Sequence, residues 1–192
     1  MHQLITAFAT ELRTHALPAA QTAATLLERL TDTECTGPTG NFTPRYLDEA
    51  LAAAQTHPLT AQFAAIAPRV SWVEVSKRPM PASFAGRYSY CEIVGQDPTS
   101  VQAPDIRFGA YLQFPDTWYP RHWHAAEELY LPLSGTADWT RDGVTDRPAP
   151  PGTLIRHASY EHHATRTGPE PLLALWVWLG DLDFYRYGIE GV

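Results

Sequence analysis

The chain has 192 residues, which suits one domain, or one domain with a helical extension, and is long enough to bury a substantial core. Its 14 Lys and Arg against 21 Asp and Glu leave a formal charge of -7, and Lys77 is the only lysine, so there is no basic run to track a phosphate backbone and nucleic acid is not expected as a partner. No apolar run approaches the roughly 20 residues of a transmembrane helix, and the start MHQLITAFATELR lacks a basic n-region and carries Glu11 and Arg13 too early for a secretory signal, so a cytoplasmic protein with no membrane partner is expected.

From Leu4 to about Ile66 the chain is rich in Ala, Leu, Gln and Glu at helical spacing, as in Leu26, Leu27 and Leu30, or Leu47, Ala50, Leu51 and Ala54. Helices with modest apolar faces are predicted, packing against a barrel or against a second subunit, which allows for a homodimer. The stretch Cys35 to Phe42, CTGPTGNF, reads as a loop. Thr43 before Pro44 supplies an N-cap and an N1 proline for a helix from about Pro44 to Thr56, which His57-Pro58 stops. Cys35 and Cys91 make no disulfide framework and sit in no metal spacing, so they read as ordinary thiols.

After Pro68 the pattern changes to short runs rich in Val, Trp, Tyr, Phe and Ile, divided by Pro, Gly and Asp. Strands are predicted near Val70 to Val75, Arg87 to Val94, Ile106 to Phe114, Glu128 to Ser134, Thr136 to Thr140, Thr153 to Arg156, His163 to Thr165 and Leu172 to Trp178. The chain thus divides into a helical extension, residues 1–68, and a β domain, residues 69–192. Many short strands with Pro/Gly turns indicate a mainly β sandwich, jelly roll or barrel, and 17 prolines would be hard to fit into a helical fold.

The chemistry concentrates in Tyr119 to Gly135, YPRHWHAAEELYLPLSG. Side chains alternate along a strand, so His122 and His124 share a face if that segment is extended. Glu128 and Tyr130 share another, with Leu129, Leu131 and Leu133 opposite. A tight turn through Ala125 to Glu127 would bring the two pairs together, and imidazole with carboxylate suits Zn, Fe, Mn or Ni. One more ligand is wanted. Downstream, the turn Pro150-Pro151-Gly152 leads into TLIRHASYEHHATRT, with His157, His162 and His163. Adjacent His162 and His163 point to opposite faces if extended, so at most one joins the cluster, and periodicity does not choose between them. His157 ends the preceding strand, where a hydrogen-bonding role competes with ligation.

HxH, then Glu128 four residues after His124, Gly135 seven further on, and a PxG turn followed by a histidine resemble the two cupin motifs. Asp116 stands where that family has its opening glycine. More narrowly, FAGRYSYCEIVG, GAYLQFPDTWYPRHWHAAEELYLPLSG, PPGTLIRHASYEHHATRT and LWVWLGDL resemble the cupin dimethylsulfoniopropionate (DMSP) lyases of the DddQ, DddL, DddW and DddK type. The resemblance covers the chain from about Phe84 onward. It implies a double-stranded β-helix, the cupin jelly-roll barrel, with a metal inside. It also implies His124, Glu128 and His163 as metal ligands, Tyr130 as a ligand able to detach, and Tyr119, His122 and Tyr88 lining the substrate pocket. His162 stands where that family often has proline. One divalent transition metal is expected, Zn or Fe ahead of Mn, Co or Ni.

The implied activity is cleavage of DMSP, a zwitterionic carboxylate, to acrylate and dimethyl sulfide by β-elimination. The hard step removes a proton α to a carboxylate, which a Lewis acid eases. Tyrosine ionises near pH 10, but a neighbouring divalent cation favours phenolate, so Tyr130 is a candidate base, with Tyr119 its rival. The sulfonium wants aromatic faces, for which Trp176, Trp178, Trp123, Trp139 and Tyr88 are candidates, although tryptophans at strand spacing also serve as plain core. Three other readings use the same residues: an Fe(II) cupin dioxygenase, a lyase-like cupin acting on another small carboxylate, and a non-catalytic ligand-binding cupin.

Overall fold

The computed structural model describes residues 1–30, 40–74, 78–96, 101–142, 144–145 and 148–192. Cys35, Val75 and Lys77, with most of the predicted Cys35 to Phe42 loop, lie outside the described residues.

The first part of the chain is helical: α1 (His2–Arg13), α2 (Pro18–Glu28), α3 (Leu47–Ala53) and α4 (Thr60–Ala64), then a short 3-10 turn, Ala67–Arg69. Pro18 opens α2, where a missing N–H costs nothing. The helix expected from Pro44 starts later. Tyr46, at a left-handed φ of 68°, is its N-cap in place of Thr43, and the Leu47 N–H turns back to the Pro44 carbonyl at 3.2 Å. Edge contact between the Tyr46 and Phe114 rings at 5.1 Å holds this bend against the barrel, so tertiary packing overrides the local cap signal.

Twelve strands follow among the described residues: β1 (Trp72–Val73), β2 (Tyr88–Gly95), β3 (Val101–Gln102), β4 (Arg107–Gln113), β5 (Trp118–His124), β6 (Ala126–Ser134), β7 (Ala137–Arg141), β8 (Val144–Thr145), β9 (Ile155–His157), β10 (His163–Thr167), β11 (Leu172–Gly180) and β12 (Tyr187–Ile189). They form two sheets, in the orders β1-β2-β4-β11-β6-β9 and β12-β5-β10-β7-β8, with β3 beside β2. Every pairing except β2 with β3 is antiparallel. The fold is the mainly β cupin barrel with an N-terminal helical extension.

Why the strands read as apolar runs is now plain. The helices cover the outer face of the larger sheet, so β4, β6 and β11 are buried on both faces. Leu129, Leu131, Leu133, Leu173, Leu175 and Val177 join one core with Leu4, Ile5, Phe8 and Leu12 of α1, and Phe8 stacks on Phe108 at 4.9 Å. The opposite faces of the same strands turn Tyr130, Trp176 and Trp178 into the barrel. Leu131 is fully buried under this helical layer. Leu131→Ala is therefore expected to destabilise the fold by about 2–5 kcal/mol in chemical denaturation, and a loss within error of zero would contradict the shared core.

The predicted tight turn between the histidine pair and the Glu/Tyr pair is a corner, not a hairpin. Only Ala125 separates β5 from β6, yet the two strands belong to different sheets. The Ala125 N–H donates to the Arg186 carbonyl at 3.0 Å, and its own carbonyl accepts from Ser159 Oγ at 2.6 Å, so the corner is tied from two sides. Pro120 lies in β5 where the register with β10 slips between His163 and Thr165, a place that tolerates its missing donor.

Two turn residues carry special backbone. Gly135 has φ +74°, and a Cβ there would collide with the Pro171 carbonyl, so the position demands glycine twice over. Asp116, which replaces the opening glycine of the cupin motif, has φ +50°. It keeps the left-handed conformation that aspartate tolerates better than most residues.

Candidate metal centre and active site

The corner at Ala125 sets His124, the last residue of β5, against Glu128 on β6. In the larger sheet Glu128 is flanked in register by Trp178 of β11 and His157 of β9. In the smaller sheet His163, which opens β10, pairs across with His122 of β5. All five of these polar residues, His122, His124, Glu128, His157 and His163, are buried.

Burying a carboxylate is costly unless it is paired. Here Glu128 Oε1 accepts from Trp178 Nε1 at 2.7 Å, while Oε2 lies 3.1 Å from His124 Nε2 and 3.4 Å from His163 Nε2. Burial alone would raise this carboxyl, but the His124 and His163 imidazoles hold it well below its ordinary value. Each histidine is fixed from behind: Nδ1 of His124 donates to the Ala126 carbonyl at 2.9 Å, that of His163 to the Glu161 carbonyl at 2.8 Å, and that of His122 to the Pro120 carbonyl at 2.8 Å. A backbone carbonyl only accepts, so Nδ1 carries hydrogen and Nε2 is the nitrogen left for a metal.

The donor set fits a divalent transition metal. The ligand atoms of His122, His124 and His163 lie within 4.8 Å of one another, as do those of Glu128, His157 and His163. Among the described residues, the buried His163 Nε2 has no hydrogen-bond partner, and neither ring nitrogen of His157 has one. Ring geometry separates the two. His157 stacks face to face on His163, centroids 3.9 Å apart and planes 9° from parallel. Lone pairs lie in the ring plane, so two parallel stacked rings cannot both aim at one ion, and His157 serves as a platform behind His163. His124 and His163 meet at 79°, a crossing that lets both nitrogens converge. The neighbour His162 is on the other face of β10, stacked on Trp123 at 4.3 Å, away from Glu128.

The cavity beside this cluster is lined by Tyr88, Tyr90, Tyr111, Tyr119, Tyr130, Trp176, Trp178 and Tyr187 from the strands, and by Arg78, Met80 and Phe184 from the connecting segments. Tyr119, Tyr88 and His122, expected in the pocket, are all on its wall. Trp178 lines it too, but its N–H is spent on Glu128, so this residue also aims the carboxylate. Burial, then the Glu128 charge, pushes the Tyr130 phenol well above its ordinary range, and burial does the same to Tyr119. Trp139 packs on Tyr130 at 5.1 Å as core, and Trp123 lies outside the pocket against His162. Sequence reasoning missed Tyr111, Tyr187, Phe184 and Arg78. For Tyr111 a signal existed: it alternates with Gly109 and Gln113 along β4. The other three come from segments with no motif.

The buried histidines make the metal-free fold sensitive to acid. Burial, then the charges of His163 and His124, holds His122 well below its ordinary value, and burial with His163 does the same to His157. Both stay neutral in the fold but take a proton in the unfolded chain below about pH 6.5. The stability they permit is therefore complete above that pH and is lost as pH falls toward their depressed folded values. For the chelator-treated protein each is expected to cost up to about 1.4 kcal/mol per pH unit below pH 6.5, seen as a falling melting temperature. A flat melting temperature between about pH 7 and pH 5 would contradict this.

Known proteins place this architecture. The DMSP lyase DddQ of Ruegeria pomeroyi is 36% identical over 105 residues, 53% of this chain and 50% of that protein. A putative DMSP lyase, DddL, of Cereibacter sphaeroides is 29% identical over 123 residues, 64% of this chain and 51% of that protein. The chain thus spans about half the length of these relatives. The barrel with its helices superposes on a chain from the crystal structures of the DMSP lyases RdDddP and RnDddQII with TM-score 0.73 and 23% identity, covering 98% of this chain and 99% of that one. For the crystal structure of DddQ from Ruegeria pomeroyi the TM-score is 0.64 at 23% identity, with 99% and 98% covered. The family model for DMSP lyase matches residues 13–174, which include the whole histidine and carboxylate cluster, and the chain belongs to that family.

Proposed function

We propose that this chain is a metal-dependent carbon-sulfur lyase that cleaves DMSP to dimethyl sulfide and acrylate. The observation that carries the reading is the cavity itself. Two members of a buried donor set, His124 and Glu128, stand in its wall, with His163 behind them 3.4 Å from Glu128, and the rest of the wall is tyrosine and tryptophan. A zwitterion with a carboxylate at one end and a sulfonium at the other matches both features.

A divalent cation held by His124, Glu128 and His163 would supply Lewis acidity toward the substrate carboxylate and a positive charge that favours the Tyr130 phenolate. The remaining work falls to the protein. Trp178, Trp176 and Tyr88 offer π faces to the sulfonium, which prefers them to an apolar wall. Trp176 and Trp178 cross at 67° with centroids 6.0 Å apart, forming two sides of a box. Tyr130 or Tyr119 takes the proton from the carbon α to the carboxylate as the C–S bond breaks, the new double bond forms and the sulfur leaves with its electron pair as neutral dimethyl sulfide. The aromatic lining keeps bulk water from the reacting carbon.

The experiment is to load the purified protein with Zn(II) or Fe(II), add DMSP and measure dimethyl sulfide in the headspace and acrylate in solution, while recording oxygen consumption. Equal amounts of both products without oxygen uptake support the lyase. Oxygen uptake without dimethyl sulfide would instead favour a dioxygenase on the same donor set.

A further inference from the structure

Tyr119 is one of two tyrosines that the lyase reading places beside the substrate, and the inference here rests on that reading. Its ring is gripped on both faces, by Phe84 at 4.2 Å and 9° and by His122 at 3.8 Å and 11°. Stacking fixes the ring plane and leaves the hydroxyl free to rotate about its C–O bond. A second tyrosine settles that rotation: Tyr187 Oη lies 2.9 Å from Tyr119 Oη. One of the two in-plane directions at the Tyr119 oxygen is thereby occupied.

Tyr187 sits on β12, far along the chain from either motif, and reaches the pocket because β12 pairs with β5, Tyr187 opposite His124, and the segment before it is tied back to the barrel. Arg107 Nε donates to the Leu182 carbonyl at 3.2 Å, and Arg78 Nη1 donates to the Phe184 carbonyl at 3.2 Å. The Arg78 guanidinium also lies between two rings, 3.8 Å from the centroids of both Phe184 and Tyr187. A planar cation against aromatic faces is a strong and directional contact, and it clamps the Tyr187 ring.

We propose that Tyr187, held in place by Arg78, is a positioning residue for Tyr119: its hydroxyl commits one side of the Tyr119 oxygen and leaves the other side aimed into the cavity at the substrate. Whether Tyr119 takes the proton itself or holds the substrate for Tyr130, the rate depends steeply on such aim, since a displacement of about 1 Å can cost on the order of 100-fold.

Tyr187→Phe keeps the ring under Arg78 and removes only the oxygen. It is expected to lower kcat for DMSP by about 10-fold to 100-fold while KM changes by less than about 2-fold, a split that a wall residue serving only to bind substrate would not produce. Arg78→Lys, which keeps the charge but not the planar group, is expected to shift kcat in the same direction. A second readout needs no turnover. In protein labelled at tyrosine, the Tyr119 hydroxyl proton, assigned by its loss in Tyr119→Phe, is expected to be protected from exchange with water and to lose that protection in Tyr187→Phe. If the wild type makes no dimethyl sulfide, the lyase reading fails while the exchange measurement still decides the positioning. Unchanged protection of the Tyr119 hydroxyl in Tyr187→Phe overturns the proposal, as does a wild-type kcat in that variant of an active enzyme.

Discussion

Glu128→Gln is expected to weaken binding of a divalent transition metal by well over about 100-fold and to remove DMSP cleavage with it. Replacing residues that merely support a ligand already costs about 10-fold to 100-fold in affinity, and Glu128 sits at the centre of the donor set. Its Oε2 is shared between His124 at 3.1 Å and His163 at 3.4 Å, and its Oε1 is held by Trp178 at 2.7 Å. Glutamine keeps the volume but cancels the charge, and its amide group presents either a donor or a weak acceptor where two imidazole nitrogens converge. The fold should survive, because the change alters one hydrogen-bonded group in a barrel whose helical core lies on the other face of the sheet. Metal content after dialysis and competition against a chromophoric chelator measure the first effect, and headspace dimethyl sulfide the second. Stoichiometric metal together with wild-type turnover would remove Glu128 from the centre.

Tyr130→Phe is expected to lower kcat by about 10²-fold to 10⁴-fold, the usual worth of a positioned general base, while metal content and folding stay as they were. Tyr130 follows Glu128 by two residues on the same face of β6, so its hydroxyl stands beside the carboxylate. Burial, then the charge of that neighbour, pushes the phenol well above its ordinary range, which a bound cation would offset. The ring itself packs on Trp139 at 5.1 Å and meets Tyr111 edge-on at 5.9 Å, contacts that phenylalanine retains. The loss therefore isolates the oxygen. Tyr119→Phe is the control: if Tyr119 is the base, its variant takes the larger loss and Tyr130→Phe takes a modest one. Steady-state kinetics on both, with metal content measured in the same samples, assigns the role.

Much of the barrel and its site was legible in the sequence because the period of a strand is local. His122 with His124, Glu128 with Tyr130, and Trp176 with Trp178 share faces by alternation alone, and the structure turns His124, Glu128, Tyr130 and both tryptophans toward one cavity. The resemblance to DMSP lyases rested on the same stretches, and the family match covers all of them except the tail from Leu175 onward. Element ends were less legible. The helix expected from Pro44 begins at Leu47 because Tyr46 answers to Phe114, a residue far along the chain.

The amino-acid sequence by itself determined which residue types face inward along each strand, where the chain must turn, and that imidazole and carboxylate would meet, because these follow from alternation, glycine and proline within a few neighbouring residues. Tertiary structure decided the rest. Whether His162 or His163 faces Glu128 depends on the register of β10 between β5 and β7, and a slip of one residue would exchange them. Pairing β6 beside β9 and β11 brought His157 behind His163 and the Trp178 N–H onto Glu128. The return of the C-terminal segment under Arg78 and Arg107 delivered Tyr187 to Tyr119. Each of these contacts joins residues distant in the chain, and local propensity carries no information about such partners.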